Sequence, residues 1–367
     1  MRKVCCFCET WESGGIESFL HNVLLHMDMT ELQIDIVAVK LKDSVFTSAL
    51  EARGIRFFEL SGKLRSLENH RLFGDLLKKE KYDVVHFNLY QGLSLSYVQQ
   101  AKNMGVPVRI AHSHNSALRK SRGRWLKLLL HNAGKFLWTG AATDLWACSG
   151  IAAKFLFGKK VLSEKGFTFI PNGIDVERFR FDPAQREAVR AELGLTDEFA
   201  VGNVGRLCYQ KNQSFLLDVF AELLKQRPDS RLILVGDGED REKLKEKAER
   251  LEISDKVIFY GVTNQIEQIL WAMDVFAFPS RFEGFGIVAI EAQAAGLPVL
   301  CSEAVPAEAR IIDKTYILPL EANLWKNKLI NENCVHDRCF TNNIIKNAGF
   351  DVEIVKNKIQ SVYRGTR

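Results

Sequence analysis

Glu283 and Glu291 stand with seven residues between them, and Gly284-Phe285-Gly286 opens that gap. An ionised carboxylate can accept from both hydroxyls of a sugar diol. The backbone N–H groups of a glycine loop at a helix start can take a phosphate. One short segment therefore carries groups suited to a sugar, a phosphate and a ribose, most of a nucleotide sugar. Two glutamates also suit a glycosidase acid/base pair, but hydrolysis calls for no phosphate-binding cations. A solvated glutamate on a helix is the plain alternative.

Such cations are present. Arg206 and Lys211 lie in Gly205-Arg206-Leu207-Cys208-Tyr209-Gln210-Lys211-Asn212, directly after the apolar run Ala200–Val204. Fixed cations stabilise the charge that develops on a departing diphosphate without a metal; an ordinary solvated loop is the alternative. Gly14-Gly15-Ile16-Glu17 reads as a loop-to-helix junction whose amides could cradle a diphosphate. It is not GxGxxG and no acidic residue clearly closes the second strand, so a nicotinamide site is disfavoured. A tight turn would look the same. In Ala111-His112-Ser113-His114-Asn115, a histidine at a strand end can donate to a sugar hydroxyl or poise a base. His114 lies further into the loop and is expected to be the functional one, with His112 structural. No carboxylate cluster accompanies them, so no metal site is expected.

These groups need elements that bring them to one place. Short apolar runs alternate with helix-period segments through the chain. Strands are expected at Lys3–Cys8, Ile34–Val39, Ile55–Leu60, Asp83–Phe87, Val108–Ala111, Asp144–Cys148 and Phe167–Ile170. After Pro171-Asn172-Gly173 the pattern restarts, at Ala200–Val204, Arg231–Val235, Lys256–Tyr260, Val275–Phe278, Val299–Cys301 and Tyr316–Leu318. Strands this apolar, each followed by a helix, argue for parallel sheets covered on both faces. The expected class is α/β, with two doubly wound Rossmann-like domains and an interdomain cleft. Every candidate group follows a strand, where open α/β sheets bind ligands.

The 367 residues suit about two domains. A formal net charge of +5 is too small to argue for nucleic acid. No apolar run approaches the ~18 residues of a membrane span. The N-terminal apolar stretch is too short for a signal peptide and reads as a strand. Eight cysteines without a CxxC pair read as buried thiols in a reducing, cytoplasmic setting, with Cys334/Cys339 a weak pair. From Leu118 to Trp138, six basic residues (Arg119, Lys120, Arg122, Arg124, Lys127, Lys135) accompany Trp125, Leu129, Phe136 and other apolar residues, with no acid. Such a segment can lie on an anionic membrane surface; a domain helix with a solvated basic face is the alternative.

Ser280-Arg281-Phe282-Glu283-Gly284-Phe285-Gly286 with Glu291 resembles the E-x7-E signature of retaining GT4-type glycosyltransferases, which have the GT-B fold. Gly205-Arg206…Lys211-Asn212, Pro171-Asn172-Gly173-Ile174-Asp175 and Gly14-Gly15 resemble the family's other hallmarks, in the expected order. The pairing of Ala111-His112-Ser113-His114-Asn115 with Ala147-Cys148-Ser149 is similar to the branch that builds capsular and extracellular polysaccharides. The resemblance implies that Arg206 and Lys211 hold the donor diphosphate with the Gly15 amide. It implies that Glu291 takes the ribose and Glu283 the donor sugar, near the amides of Gly284, Phe285 and Gly286. Tyr260-Gly261-Val262 would lie beside the base, and His114 would face the sugar. Phe282 and Phe285 are read as pocket walls. One departure stands: relatives carry a glycine-rich turn where this chain has Cys301-Ser302-Glu303-Ala304-Val305-Pro306-Ala307-Glu308, so that loop is poorly anchored in this reading.

The resulting expectation is a retaining, metal-independent transferase, without a cofactor. It would move a sugar from a nucleotide-sugar donor, expected to be UDP-linked, to a lipid-linked saccharide acceptor at the inner face of the cell membrane. A 2-epimerase of the same fold and a catalytically silent sugar-nucleotide-binding subunit are the alternatives. Expected domains are 1–170 and 171–340, with 341–367 carrying a helix, Val352–Tyr363, that crosses back to the first.

Overall fold

Strands buried along their whole length need cover on both faces, and the central strands of both sheets are buried that way while the edge strands are partly exposed. The computed structural model describes residues 1–63, 67–118, 124–332, 338 and 341–366. The chain divides into two compact units, Met1–Gly173 with Val352–Arg367, and Ile174–Asp351. The first boundary thus falls three residues after the expected 170, and the returning segment begins at Val352, not at 341.

The first unit holds β1 (Arg2–Trp11), β2 (Leu32–Leu41), β3 (Arg56–Glu59), β4 (Val84–Leu89), β5 (Val108–Ser113), β6 (Asp144–Ala147) and β7 (Thr168–Phe169). They form one parallel sheet in the order β3-β2-β1-β4-β5-β6-β7. The second unit holds β8 (Phe199–Val204), β9 (Ser230–Val235), β10 (Val257–Gly261), β11 (Val275–Phe278), β12 (Val299–Ser302) and β13 (Thr315–Leu318). Their order is β10-β9-β8-β11-β12-β13, again parallel. In each sheet the winding reverses once, between β1 and β4 and between β8 and β11. Such switch points are where doubly wound sheets bind ligands.

Burial explains the cysteines. Cys5, Cys6, Cys8, Cys148 and Cys301 are buried, and desolvation pushes Cys6 and Cys301 up to about 12. Cys334 and Cys339 lie outside the described residues. Among the described residues no helix is long and apolar enough to cross a membrane.

The last helix, Val352–Arg364, turns one apolar stripe inward through Val352, Val355, Ile359, Val362 and Tyr363. Val355, Ile359, Val362 and Tyr363 share a core with Val4, Cys6, Phe19 and Trp146 of the first unit. Arg364 fastens its end to Asp28 at 2.6 Å. Removing buried methylenes from such a stripe costs about 2–5 kcal/mol. Ile359→Ala is therefore expected to lower the unfolding free energy by that order, read as a lower urea midpoint. An unchanged midpoint would mean the helix is not part of this core.

Candidate functional site

β8 and β11 are neighbours, so the loops after them emerge side by side. Gly205 ends β8 at φ +149°. A Cβ on Gly236 would clash with the Gly205 carbonyl, so the loop starts pressed against the turn after β9. Asn203 then donates from Nδ2 to the Ala277 carbonyl at 2.8 Å, Asn212 to the Pro279 carbonyl at 3.1 Å, and Gln210 to the Phe282 carbonyl at 3.0 Å. Side chains of β8 and the loop after it thus hold the backbone of β11 and its loop.

The outcome is a direct pair between Lys211 Nζ and Glu283 Oε1 at 2.8 Å, with only 16% and 6% of the two side chains exposed. The Phe278 ring lies 4.7 Å beneath the ammonium. Arg206 is half-exposed and its Nε meets Glu239 at 3.1 Å. Glu291 sits on the second turn of the helix Ile287–Ala294, every residue of which is buried. Burial raises its carboxyl to about 7; Arg178 and Lys211 pull it down, and Glu267 pushes it further up. Gly286 caps that helix at φ +89°, and a Cβ there would come within 2.9 Å of the Phe278 ring. For any other residue the backbone alone would cost about 1–2 kcal/mol.

The Phe285 ring is buried and stacks on Phe350, with centroids 5.6 Å apart. At the end of β12, Ser302 Oγ donates to the Ser280 carbonyl at 2.5 Å, and Val305 in the following segment is fully buried. Tyr260 and Val262 are exposed around the end of β10.

In the first unit, Gly15 starts the helix Gly15–His26, and a Cβ on it would meet nothing within 4 Å. Glu17, on the same turn, is buried and raised to about 7 by desolvation; its Oε1 accepts from the Glu12 N–H at 3.2 Å. His114 follows β5. Its Nε2 meets Asn88 Oδ1 at 2.9 Å, and its ring lies 3.9 Å from that of His112. His112 is fully buried and continues to His86 at 3.0 Å, which meets the Tyr363 hydroxyl at 2.7 Å. Sequence reasoning missed Asn88 and His86. Their signal was two polar residues at alternate positions of the apolar run Val84–Leu89. It also missed Arg178 and Glu267, paired at 2.7 Å in the electrostatic surroundings of Glu291. Their own sequence contexts carry no such signal. Among the described residues no three His, Cys, Asp or Glu side chains group as a metal site.

The helix Arg124–Trp138 buries only His131 and Gly134. Trp125, Leu129, Phe136 and Leu137 are exposed, Phe136 to 89%. The solvated basic face expected of an ordinary domain helix is not the whole arrangement, because apolar side chains lie outward as well. Arg119, Lys120 and Arg122 lie outside the described residues.

Comparison with known proteins follows the two units. The family model for glycosyltransferase family 4 matches residues 13–178, and that for group 1 glycosyl transferases matches residues 185–325. EpsF of Bacillus subtilis, named as a glycosyltransferase, is 30% identical over 297 residues, covering 80% of this chain and 77% of its own. A UDP-Gal:alpha-D-GlcNAc-diphosphoundecaprenol alpha-1,3-galactosyltransferase of Escherichia coli is 32% identical over 234 residues, 62% of this chain and 59% of its own. Anabaena HepE, solved with UDP and glucose, superposes with a TM-score of 0.78 at 22% identity over 99% of this chain and 100% of its own. WaaG, from lipopolysaccharide biosynthesis, gives 0.73 at 18% over 99% and 100%. These solved structures establish the fold as GT-B.

The raised Glu291 has a signed consequence. Its unfolded form ionises near 4.5, whereas the folded form keeps its proton to about 7. The folded state then binds more protons between those values, so stability from this group is full at low pH and is lost as pH rises through about 7. The unfolding free energy of the wild type, read from urea titrations, should fall relative to that of Glu291→Gln as pH rises from about 4.5 to about 7, by a few kcal/mol at most. Parallel pH profiles would contradict the raised carboxyl.

Proposed function

Because the chain belongs to the family 4 glycosyltransferases, we propose that it transfers a sugar from a UDP-linked donor to a lipid-linked saccharide, with retention and without a metal. The observation that carries this reading is the Lys211–Glu283 pair at the switch point of the second sheet, with Glu291 on the helix that follows. HepE is seen with UDP and with UDP-glucose, and the Escherichia coli relative is named for a UDP-sugar and a diphospho-lipid acceptor.

Arg206 and Lys211 offset the charge that grows on the diphosphate as the anomeric C–O bond breaks. The incoming diphosphate takes over Lys211, and Glu283 turns to the hydroxyls of the donor sugar. Glu291 accepts from the ribose diol. The amides of Gly15, Gly284, Phe285 and Gly286 serve the phosphates and sugar, with Val262 beside the base. The acceptor hydroxyl attacks the face the diphosphate leaves and gives its proton to a departing phosphate oxygen. No protein nucleophile and no resident cofactor are called for. The work belongs to surface polysaccharide assembly on the cytoplasmic face of the membrane.

Purified protein, given nucleotide sugars, a lipid-linked acceptor extract and EDTA, is expected to release UDP from one donor and to keep the donor's anomeric configuration in the product. Glu283→Ala should lose about 10²–10³ in kcat while still folding, as read by its far-UV circular dichroism. Full activity in Glu283→Ala, or an inverted product, would sink the reading.

The outward apolar residues of Arg124–Trp138, with Arg124 and Lys127 on the same helix, fit an anionic lipid surface. Vesicles containing phosphatidylglycerol should co-sediment the protein, and the double change Trp125→Ser, Phe136→Ser should release most of it. Equal sedimentation of both proteins would count against this face.

A further inference from the structure

His114 is presented to its surroundings in one chemical form, and Asn88 decides which. Asn88 ends its strand between two carbonyls: its Nδ2 donates to Phe7 O at 3.4 Å and to His86 O at 3.3 Å. Carbonyls only accept, so this end of the amide must be the NH2 group and the other end the oxygen. That oxygen faces His114 Nε2 at 2.9 Å. An amide oxygen also only accepts, so Nε2 carries the ring proton. Nδ1 of the neutral imidazole is then a bare lone pair, and it is buried without a hydrogen-bond partner.

The surroundings keep it so. The ring packs against Phe19 of the helix Gly15–His26 at 5.2 Å and His112 at 3.9 Å. The titratable groups coupled to it across the sheet, His112 and His86, are themselves held neutral by burial. Desolvation takes His114 down to about 3, so the imidazolium is not populated near neutrality. His112 is fixed in turn through His86 to the Tyr363 hydroxyl. The returning helix thereby helps set the plane on which His114 rests.

We propose that Asn88 is a positioning residue that locks His114 as the Nε2–H tautomer, so that His114 accepts a hydrogen bond at Nδ1 from a sugar hydroxyl and does not donate one. This rests on the transferase reading above for the identity of the ligand, but not for the tautomer. An unpartnered buried acceptor is costly, and a hydroxyl that donates to it recovers that cost. A sugar carrying fluorine in place of that hydroxyl has nothing to donate and is disfavoured.

The test is 15N-edited NMR of the full chain with labelled histidine and no ligand. The wild type should show a protonated Nε2 and a bare Nδ1 for His114. Asn88→Leu should populate the Nδ1–H tautomer. Asn88→Asp, of nearly the same shape, should bring His114 into the titratable range near neutrality, because a carboxylate at Nε2–H favours the imidazolium. In turnover, Asn88→Leu should lower kcat/KM for the donor sugar about tenfold or more while UDP affinity is kept. A wild-type Nδ1–H form, or a tautomer indifferent to both substitutions, overturns the assignment of Asn88. An altered tautomer with unchanged kcat/KM overturns the sugar contact. The NMR arm does not use turnover, so its failure is distinct from failure of the transferase reading.

Discussion

The site in the second unit depends on one adjacency, that of β8 and β11. Lys211 and Glu283 are far apart in sequence, yet they meet at 2.8 Å in a largely buried place. A buried ion pair is weak evidence for stability, because removing two charges from water offsets much of their attraction. Here the surroundings are arranged to keep it: the Phe278 face beneath the ammonium, one side-chain-to-carbonyl bond between the strands and two more lacing one loop to the other. The adjacency is itself held from below. Asp274, just before β11, is fully buried and accepts from the Ala200 N–H of β8 at 2.8 Å and from Arg186 at 2.7 Å. The base of the switch point is therefore an ionic knot, and its mouth is a second one.

The sequence made the strands legible for a physical reason. A parallel strand covered on both faces must be an unbroken apolar run, and each expected run has an observed strand within a few residues. The glycine loop and the place of Glu291 on the following helix were legible because helix periodicity and a positive-φ cap leave marks in the chain. Partners were not legible. That Lys211 meets Glu283, or that the Phe285 ring turns to Phe350, follows from tertiary geometry that spacing does not encode. The domain boundary was misjudged for a related reason. The final amphipathic helix is a strong signal, but residues 341–351 belong to the second unit through Asn342, which donates to the Val176 carbonyl at 2.7 Å, and through Phe350 against Phe285. Those are contacts of single side chains.

The two units treat charge differently. The second places cations and carboxylates together at its loops. In the first, polar groups at the carboxyl ends of β4 and β5 are histidines that burial keeps neutral, with Asn88 and the Tyr363 hydroxyl as partners. A neutral, tautomer-fixed imidazole can sort hydroxyls by direction of donation, whereas a cation sorts by charge.

The helix Arg124–Trp138 argues most directly for a surface shaped by something other than stability. His131 and Gly134 are its buried residues. Gly92 N–H donates to His131 Nδ1 at 2.8 Å, and His131 Nε2–H donates to the Phe155 carbonyl at 3.0 Å. At Gly92 and Gly134 the backbones approach so closely that a Cβ on either would collide with the other segment. A helix that leaves Trp125, Leu129, Phe136 and Leu137 outward gains little from burial within its own unit. Isolated helices of this length are marginal in water. Little of its apolar surface is therefore covered within its own unit. An exposed apolar patch of that kind is a liability unless a lipid or another surface covers it.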